Sequence, residues 1–562
     1  MKETLEKEIK AALARVGAPE ASFAVDYPPA ETGADYACNA AFTAAKMLGK
    51  APKEVAEALC EVLTDAHILH VERIDIAGPG FLNVVLDAAY MQEVVARART
   101  AGDQWGSNTS LSGQKILIEK SAPNLFKPFH IGHLLNISVG ESLSRLTRFS
   151  GANVIDVAYP SDISLGVAKA VWAIVTRGLK GKLSINVLGE SYVYGTQKYD
   201  EDEETKRAII EVNQKLNHQT PSIELDVYKK GYELNLNYFE AITQRLGSSF
   251  ADYFFESESG AVGKGIVESH VGEVFEKSDG AIVFPGEKYG LHTRVFITSL
   301  GLPVYEAKDI GLLKLKFDKY DPDASVVITD VEQKQYFEVI KKAASLINPT
   351  WSEHSTYWQH GRMKFAGGNI SSRFGNVPLA EDLIEKVKEG VREKMKQGER
   401  SSELVDNDAL VESIALAALR YSFLRGAAGH NIVFDFEKSL SFEGDSGPYL
   451  QYAHTRCLSI ARKAAEEGVA ASTEARTKEI SAPERLLARF PEVAERAARE
   501  YAPHHVAQYL TSLASAFNAW YAQTRVLDGT PEAPYKLAVV EAVGRTLKNG
   551  LWLLGIDVPQ EM

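Results

Sequence analysis

The first seventeen residues, MKETLEKEIKAALARVG, place apolar positions at helical spacing among charged ones and read as an amphipathic helix. Helical patterns follow at Tyr36 to Leu48 and Lys53 to Leu63. HILHVERIDIAGPGFLNVVL, rich in β-branched residues around a Gly-Pro-Gly turn, predicts a hairpin. The polar, Gly- and Ser-rich stretch 102–114 marks a boundary. From 115 to 380 short apolar runs alternate with helical stretches: KILIEK, a helix from near His133, NVIDVAYP, GVAKAVWAIV, VYEAKDIGLLKLKF, ASVVITD, then a helix from about Gln333 to Leu346. That rhythm predicts βαβ units and a parallel, Rossmann-like sheet. Residues 185–250 are charged and helical and read as an insertion. Beyond about 405 strand signals vanish, and Val506, Leu510, Leu513 and Phe517 recur at helical spacing, as do Leu537, Val540, Val543 and Leu547. The expectation is a multidomain α/β chain. A small α+β N-terminal domain spans 1–110, a Rossmann-like parallel-sheet domain 111–400 with its insertion at about 185–250, and an all-α bundle 401–562.

Composition adds exclusions. The chain of 562 residues is 45% hydrophobic and 24% charged, ordinary for globular proteins. It has no apolar run of membrane-spanning length and no apolar signal core at its start. Cys38, Cys60 and Cys457 are scattered and form no CxxC pair, so no zinc site or disulfide framework is expected, and a reducing cytoplasm is. A formal charge of −13 argues against non-specific nucleic-acid binding, while leaving room for a local basic face.

The chemistry concentrates in SAPNLFKPFHIGHLLN, 121–136, where a strand ends, a loop follows, and a helix opens at His130, Ile131, Gly132 and His133. Free backbone N–H groups at such a helix start face anions. Gly132 opens space for a nucleotide, and two imidazoles three residues apart share a helix face from which they can donate to phosphate oxygens. The pattern SxPNxxKPxHxGH resembles the signature of class I aminoacyl-tRNA synthetases in its arginyl form. The resemblance implies that Lys127, His130 and His133 serve catalysis, that Pro128 and Gly132 line an ATP site, and that Lys127 neutralises phosphate charge.

NISSRFGNV, 369–377, is similar to that family's KMSKS loop, which implies phosphate contacts from Ser371, Ser372 and Arg373. Asn369 and Phe374 stand where lysines are usual, and Lys127 would compensate for the missing ammonium. A guanidinium is best met by carboxylates in forked geometry. VYEAKDIG resembles the family's guanidinium-reading segment through Tyr305 and Asp309, and FADYFFESES supplies Glu256 as their acidic partner. Asn124 and Gln333 match positions that contact the amino acid's α-amino and carboxyl ends. PSDISLG keeps Asp162 but departs from the family's pattern around it.

FDFEKSLSFEGDSGPYLQYAHTRCLSIARKA, 434–464, and the residues after it resemble the same family's helical anticodon-binding domain. Tyr449 and Tyr452 fall at its base-stacking positions and Met562 at its terminal contact; Arg456, Arg462 and Lys463 are candidates for phosphate contacts. The N-terminal region is similar to the arginyl-specific extension that meets the tRNA elbow, with Phe81 and Asn83 as the implied base-contacting pair. The expectation is an arginine–tRNA ligase acting on L-arginine, ATP with Mg²⁺, and tRNA(Arg), as a cytoplasmic monomer with no membrane partner and no protein-bound metal. A catalytically impaired paralogue that only binds tRNA is the alternative, favoured by Asn369, Phe374 and the altered Asp162 loop. An adenylyl ligase that shares only 115–380 is disfavoured by the GPYLQYAH segment.

Overall fold

Residues 1–29, 32–366, 379–398, 400–477 and 479–562 are described by a computed structural model. They form two compact units. The first comprises Met1–Gly106, Ala453–Val493 and Ser512–Asn549; the second comprises Ser107–Tyr452, Ala494–Thr511 and Gly550–Met562, so the C-terminal third contributes to each.

In the first unit a four-stranded antiparallel sheet runs in the order Val25–Asp26, Tyr36–Cys38, Phe81–Leu86, Val71–Ala77. The hairpin around the Gly-Pro-Gly turn is therefore present. Tyr36–Cys38 is strand, and the helix begins only at Ala40. Buried polar groups staple this unit. Asp35 accepts Leu86 N–H and pairs with Arg485 at 2.7 Å, and the hydroxyls of Tyr27 and Tyr36 donate to Glu492.

The second unit is built on a parallel sheet of β1 (Lys115–Ser121), β2 (Asn153–Ala158), β3 (Asp252–Tyr253), β4 (Ala324–Asp330) and β5 (Ser355–His360), in the spatial order β5-β4-β1-β2-β3. Leu117 pairs with Ile155 on one side and Ser325 on the other. From β1 the chain builds outward first to β2 and β3, later to β4 and β5. The β1/β4 boundary is thus a topological switch point, and the crevice beyond its carboxyl ends is where such sheets bind ligands. Helix α1 (Ile131–Phe149) packs on β1 at Gly140, where a Cβ would come within 2.6 Å of the Lys120 side chain.

After β2 comes α2 (Leu165–Thr176), then the predicted insertion as three helices, α3 (Ile185–Glu201), α4 (Glu203–Asn217) and α5 (Ile223–Arg245). Their apolar faces bury Val171, Leu188, Ile209 and Leu225 in a core that also receives Leu125 and Phe126 from the signature loop. Phe126 adopts a left-handed φ of 65°, strained for a bulky residue, and its ring fills the space left by Gly231 and stacks on Tyr228. That plug fixes the loop before the His-Ile-Gly-His segment.

Helices α6 (Glu256–Ser269), α7 (Tyr305–Tyr320) and α8 (Lys334–Ile347) follow, with a three-stranded antiparallel sheet (Glu276–Ser278, Ala281–Phe284, Arg294–Ile297) between α6 and α7. Residues 305–317 are therefore helix, with Val304 as its extended N-cap. Beyond 405 helices and loops dominate, and among the described residues one strand appears that the periodicity did not reveal: Ile432–Phe434 pairs in parallel with Met363–Phe365. Three residues are too few for a period-2 signal.

Candidate active site

The signature residues cap their own helix. His130 sits at the N-cap in extended conformation and accepts Gly132 N–H on Nδ1 at 3.1 Å; His133 Nδ1 accepts His130 N–H at 3.3 Å. An imidazole whose Nδ1 accepts must carry its proton on Nε2 when neutral. Burial, then the charge of Lys127, lowers the His130 pKa to about 4, and burial with the charges of His130 and Lys127 holds His133 well below the usual histidine range. Both rings are therefore neutral at pH 7, stacked with centroids 3.8 Å apart, each with an Nε2–H left to donate.

They line a cavity of about 620 Å³ at the switch-point crevice. Its wall also includes Asn124, Gly132, Glu256, Tyr305, Asp309 and Gln333, so one space collects residues predicted from four separate segments. Asn124 is placed by a bridge to Ser161, and Leu125 N–H donates to the Ser161 carbonyl. Glu256 opens α6; Asp162 sets that helix start by accepting both the N–H and the hydroxyl of Ser257, at 2.9 and 2.6 Å. Tyr305 and Asp309 stand one turn apart on α7.

Six carboxyl groups line the cavity; Glu332 pairs with Arg362, Asp330 caps the turn by accepting Glu332 N–H, and three others are already neutralised. Glu256 pairs with Lys308 at 2.5 Å, Glu119 with Lys316, and Glu306 with Arg294 at 3.1 Å. Asp309 instead accepts from the neutral Tyr336 hydroxyl at 2.5 Å, and among the described residues no cation pairs with it. Burial pushes its pKa up to about 7, against the hydrogen bond from Tyr336 that lowers it. A buried carboxyl short of one positive partner is a site for one cationic side chain.

Lys127 is not part of the cavity wall. Its ammonium lies 5.6 Å from the ring centroid of Tyr192 on α3, yet close enough to both histidines to depress their pKa values. Pro128 packs against α3 at Gly189, where a Cβ would stand 2.8 Å from its ring. Ser371, Ser372 and Arg373 lie outside the described residues, as do Asn369 and Phe374.

Elsewhere, Phe81 is 42% exposed on the N-terminal sheet and meets Phe42 edge-on, whereas Asn83 on the same strand is buried. Tyr449 is buried, Tyr452 is half-buried with the Arg400 guanidinium 5.3 Å from its ring centroid, and Met562 is half-buried.

The site includes groups that sequence reading missed: Lys308, Arg294, Lys316 and Tyr336. Lys316 stands seven residues after Asp309 on one helix, and Tyr336 three after Gln333, so helical spacing could have flagged both. Arg294 comes from a strand with no such signal.

The capped signature helix at the switch point and the acid-lined crevice beside it define the class. Residues 95–436 match the family model described as "tRNA synthetases class I (R), catalytic domain", and the chain belongs to that family. Within it the chain is of the arginyl kind: residues 3–86 match "Arginyl tRNA synthetase N terminal domain" and 450–562 match "DALR anticodon binding domain". An arginine–tRNA ligase of Clostridium perfringens is 28% identical over 549 residues, 96% of each chain, and one of Ligilactobacillus salivarius is 28% identical over 541 residues, 94% of this chain and 93% of its own. The structure of Thermus thermophilus arginyl-tRNA synthetase superposes with a TM-score of 0.80 at 25% identity, covering all of both chains. Among the described residues no helix is long and apolar enough to cross a membrane.

Proposed function

We propose that this chain is an active arginine–tRNA ligase, and that the cavity performs both of its steps: the arginine carboxylate attacks the α-phosphate of ATP and displaces pyrophosphate, and a ribose hydroxyl of the tRNA's terminal adenosine then attacks the acyl carbon of arginyl-adenylate and displaces AMP. The carrying observation is that Asp309, on the cavity wall and bonded to the Tyr336 hydroxyl, has no paired cation among the described residues, whereas Glu119, Glu256 and Glu306 beside it each have one. Arginine's guanidinium supplies it, held also by Glu256 and Tyr305, while Asn124 and Gln333 take the α-amino and carboxyl ends. The Nε2–H groups of His130 and His133 donate to phosphate oxygens as charge builds there. Lys127, leaving Tyr192, adds a full positive charge at the phosphates. Mg²⁺ enters as the complex with ATP. Positioning and electrostatics carry the rate, and no side chain is needed as a covalent nucleophile.

For the tRNA, residues 1–110 with Phe81 and Asn83 serve the elbow, and residues 401–562 with Tyr449, Tyr452 and Met562 serve the anticodon, where base–aromatic stacking contributes about 1–3 kcal/mol per base. The test is charging of total tRNA with each amino acid in turn. Arginine alone should be esterified; tRNA binding without charging would instead support the impaired paralogue.

A further inference from the structure

His360 ends β5, and Asn136 lies one turn beyond Gly132 on the same face of α1. Both line the catalytic cavity, and neither has a role in the steps above. His360 is only 5% exposed. Its Nδ1 lies 3.0 Å from the Gly361 carbonyl oxygen, and its Nε2 lies 2.6 Å from Asn136 Oδ1.

A carbonyl only accepts, so Nδ1 carries a hydrogen. Burial, opposed by the Gly361 carbonyl and by Asp330, lowers the His360 pKa, so the ring is neutral at pH 7 and Nε2 is a bare lone pair. Two acceptors cannot share a hydrogen bond, so the amide is turned over relative to that placement: its nitrogen donates to Nε2 and its oxygen faces away from the histidine. Asn136 is half-buried on the cavity wall, and among the described residues its side chain makes no other hydrogen bond. The histidine tautomer thus decides which end of the amide a ligand meets: an acceptor.

The ligand at this end is the nucleotide. The acids that suit a guanidinium stand on α6 and α7, whereas Asn136 continues the face of α1 that begins with the helix start and Gly132. We propose that Asn136, oriented by His360, is a specificity-determining acceptor for the adenosine of ATP, taking a hydrogen bond from an N–H or O–H of the nucleoside. This rests on the ligase reading above. Asn136 touches the substrate; His360 is a positioning residue that acts through it.

The experiment is steady-state charging by the full chain with tRNA(Arg), at saturating arginine and varied ATP. Loss of one neutral hydrogen bond in Asn136→Ala should raise KM for ATP about tenfold, leaving KM for arginine unchanged. His360→Leu should behave alike. His360→Gln keeps an acceptor oxygen near the place of Nε2 and should restore KM to within about twofold of the parent, a rescue that mere loss of packing would not show. Inosine triphosphate lacks the 6-amino group and 2′-deoxy-ATP lacks the 2′-hydroxyl; the analogue whose penalty in the parent vanishes in Asn136→Ala identifies the donor. Unchanged KM for ATP in Asn136→Ala, a rise confined to arginine, equal penalties for both analogues in parent and variant, or no rescue by His360→Gln would each overturn the proposal while the parent still charges tRNA. A parent that charges nothing would overturn the ligase reading first and this inference with it.

Discussion

Gly311 lies against the backbone of Ser259: a Cβ at Gly311 would stand 1.9 Å from the Ser259 carbonyl oxygen. The contact is reciprocal, since a Cβ at Gly263 would stand 1.8 Å from the Ala307 carbonyl oxygen. Two glycines let α6 and α7 touch backbone to backbone, and those helices carry Glu256 and Asp309. The acids meet in one cavity because Gly263 and Gly311 let the helices beneath them close to backbone contact at these two positions.

Gly311→Ala should therefore push the two helices apart. Overpacking of this kind costs about 1–3 kcal/mol of stability, and the larger effect should be on KM for arginine, raised about tenfold or more as the carboxylates separate. Charging kinetics set beside thermal unfolding check this. A drop in melting temperature with KM for arginine unmoved would show that the glycines serve packing alone.

Asp309 makes arginine binding depend on pH. Its pKa in the empty site is about 7, and a guanidinium binds the carboxylate, so binding releases a proton below that value. KM for arginine should fall by about tenfold per pH unit up to pH 7 and level off above it. Tyr336 lowers this pKa through its hydrogen bond, so Tyr336→Phe should move the break upward. Asp309→Ala should raise KM for arginine and abolish the break; a profile that keeps its break without Asp309 would locate the titrating group elsewhere.

Lys127 starts on the Tyr192 ring rather than on phosphate. Lys127→Ala should slow arginine activation on the order of 10²-fold, the scale of losing one electrostatic contact to the transition state, while Asn369→Ala should change it less than about threefold. Comparable losses from both would contradict the idea that the signature-loop lysine replaces the missing one. tRNA-dependent pyrophosphate exchange is the readout.

Lys120 is 1% exposed between Glu141, at 2.8 Å, and Asp156, at 3.3 Å. Lys120→Met would remove one of two cations from each carboxylate, leaving Arg145 on Glu141 and Arg148 on Asp156, and should cost on the order of 2–3 kcal/mol, seen in chemical denaturation. Burial alone would raise the Glu141 pKa, but Lys120 and Arg145 hold it at about 2. The stabilisation from Glu141 is thus complete above the ordinary glutamate pKa and fades as pH falls toward 2. The parent's margin over Lys120→Met should narrow in acid.

The parallel sheet and the helical C-terminal region were legible in the sequence, whereas most candidate site residues came from resemblance. His130 and His133 were legible because capping and anion binding are local properties of one helix start, and Tyr305 with Asp309 because one turn separates them. The pairing of Glu256 with Lys308 was not, since the partners are 52 positions apart and meet only when α6 and α7 dock. The short antiparallel sheet at 276–297 and the strand Ile432–Phe434 escaped because strands of three or four residues leave no period to read. Asn83, placed by resemblance at the tRNA elbow, shows the opposite limit: a motif gives position along the chain, while burial is decided by the sheet that forms around it.

Ser142 on α1 donates to the carbonyl of Leu553 at 2.8 Å, across 411 positions of sequence, and Arg145 on the same helix reaches the Trp552 carbonyl at 3.0 Å. Two hydrogen bonds of α1 thus form only after residues 552 and 553 have been made. At about 5–20 residues per second, the 411 positions between Ser142 and Leu553 take on the order of 20–80 s to make, so the C-terminal contacts of α1 are the late ones, added to a helix already seated on its sheet.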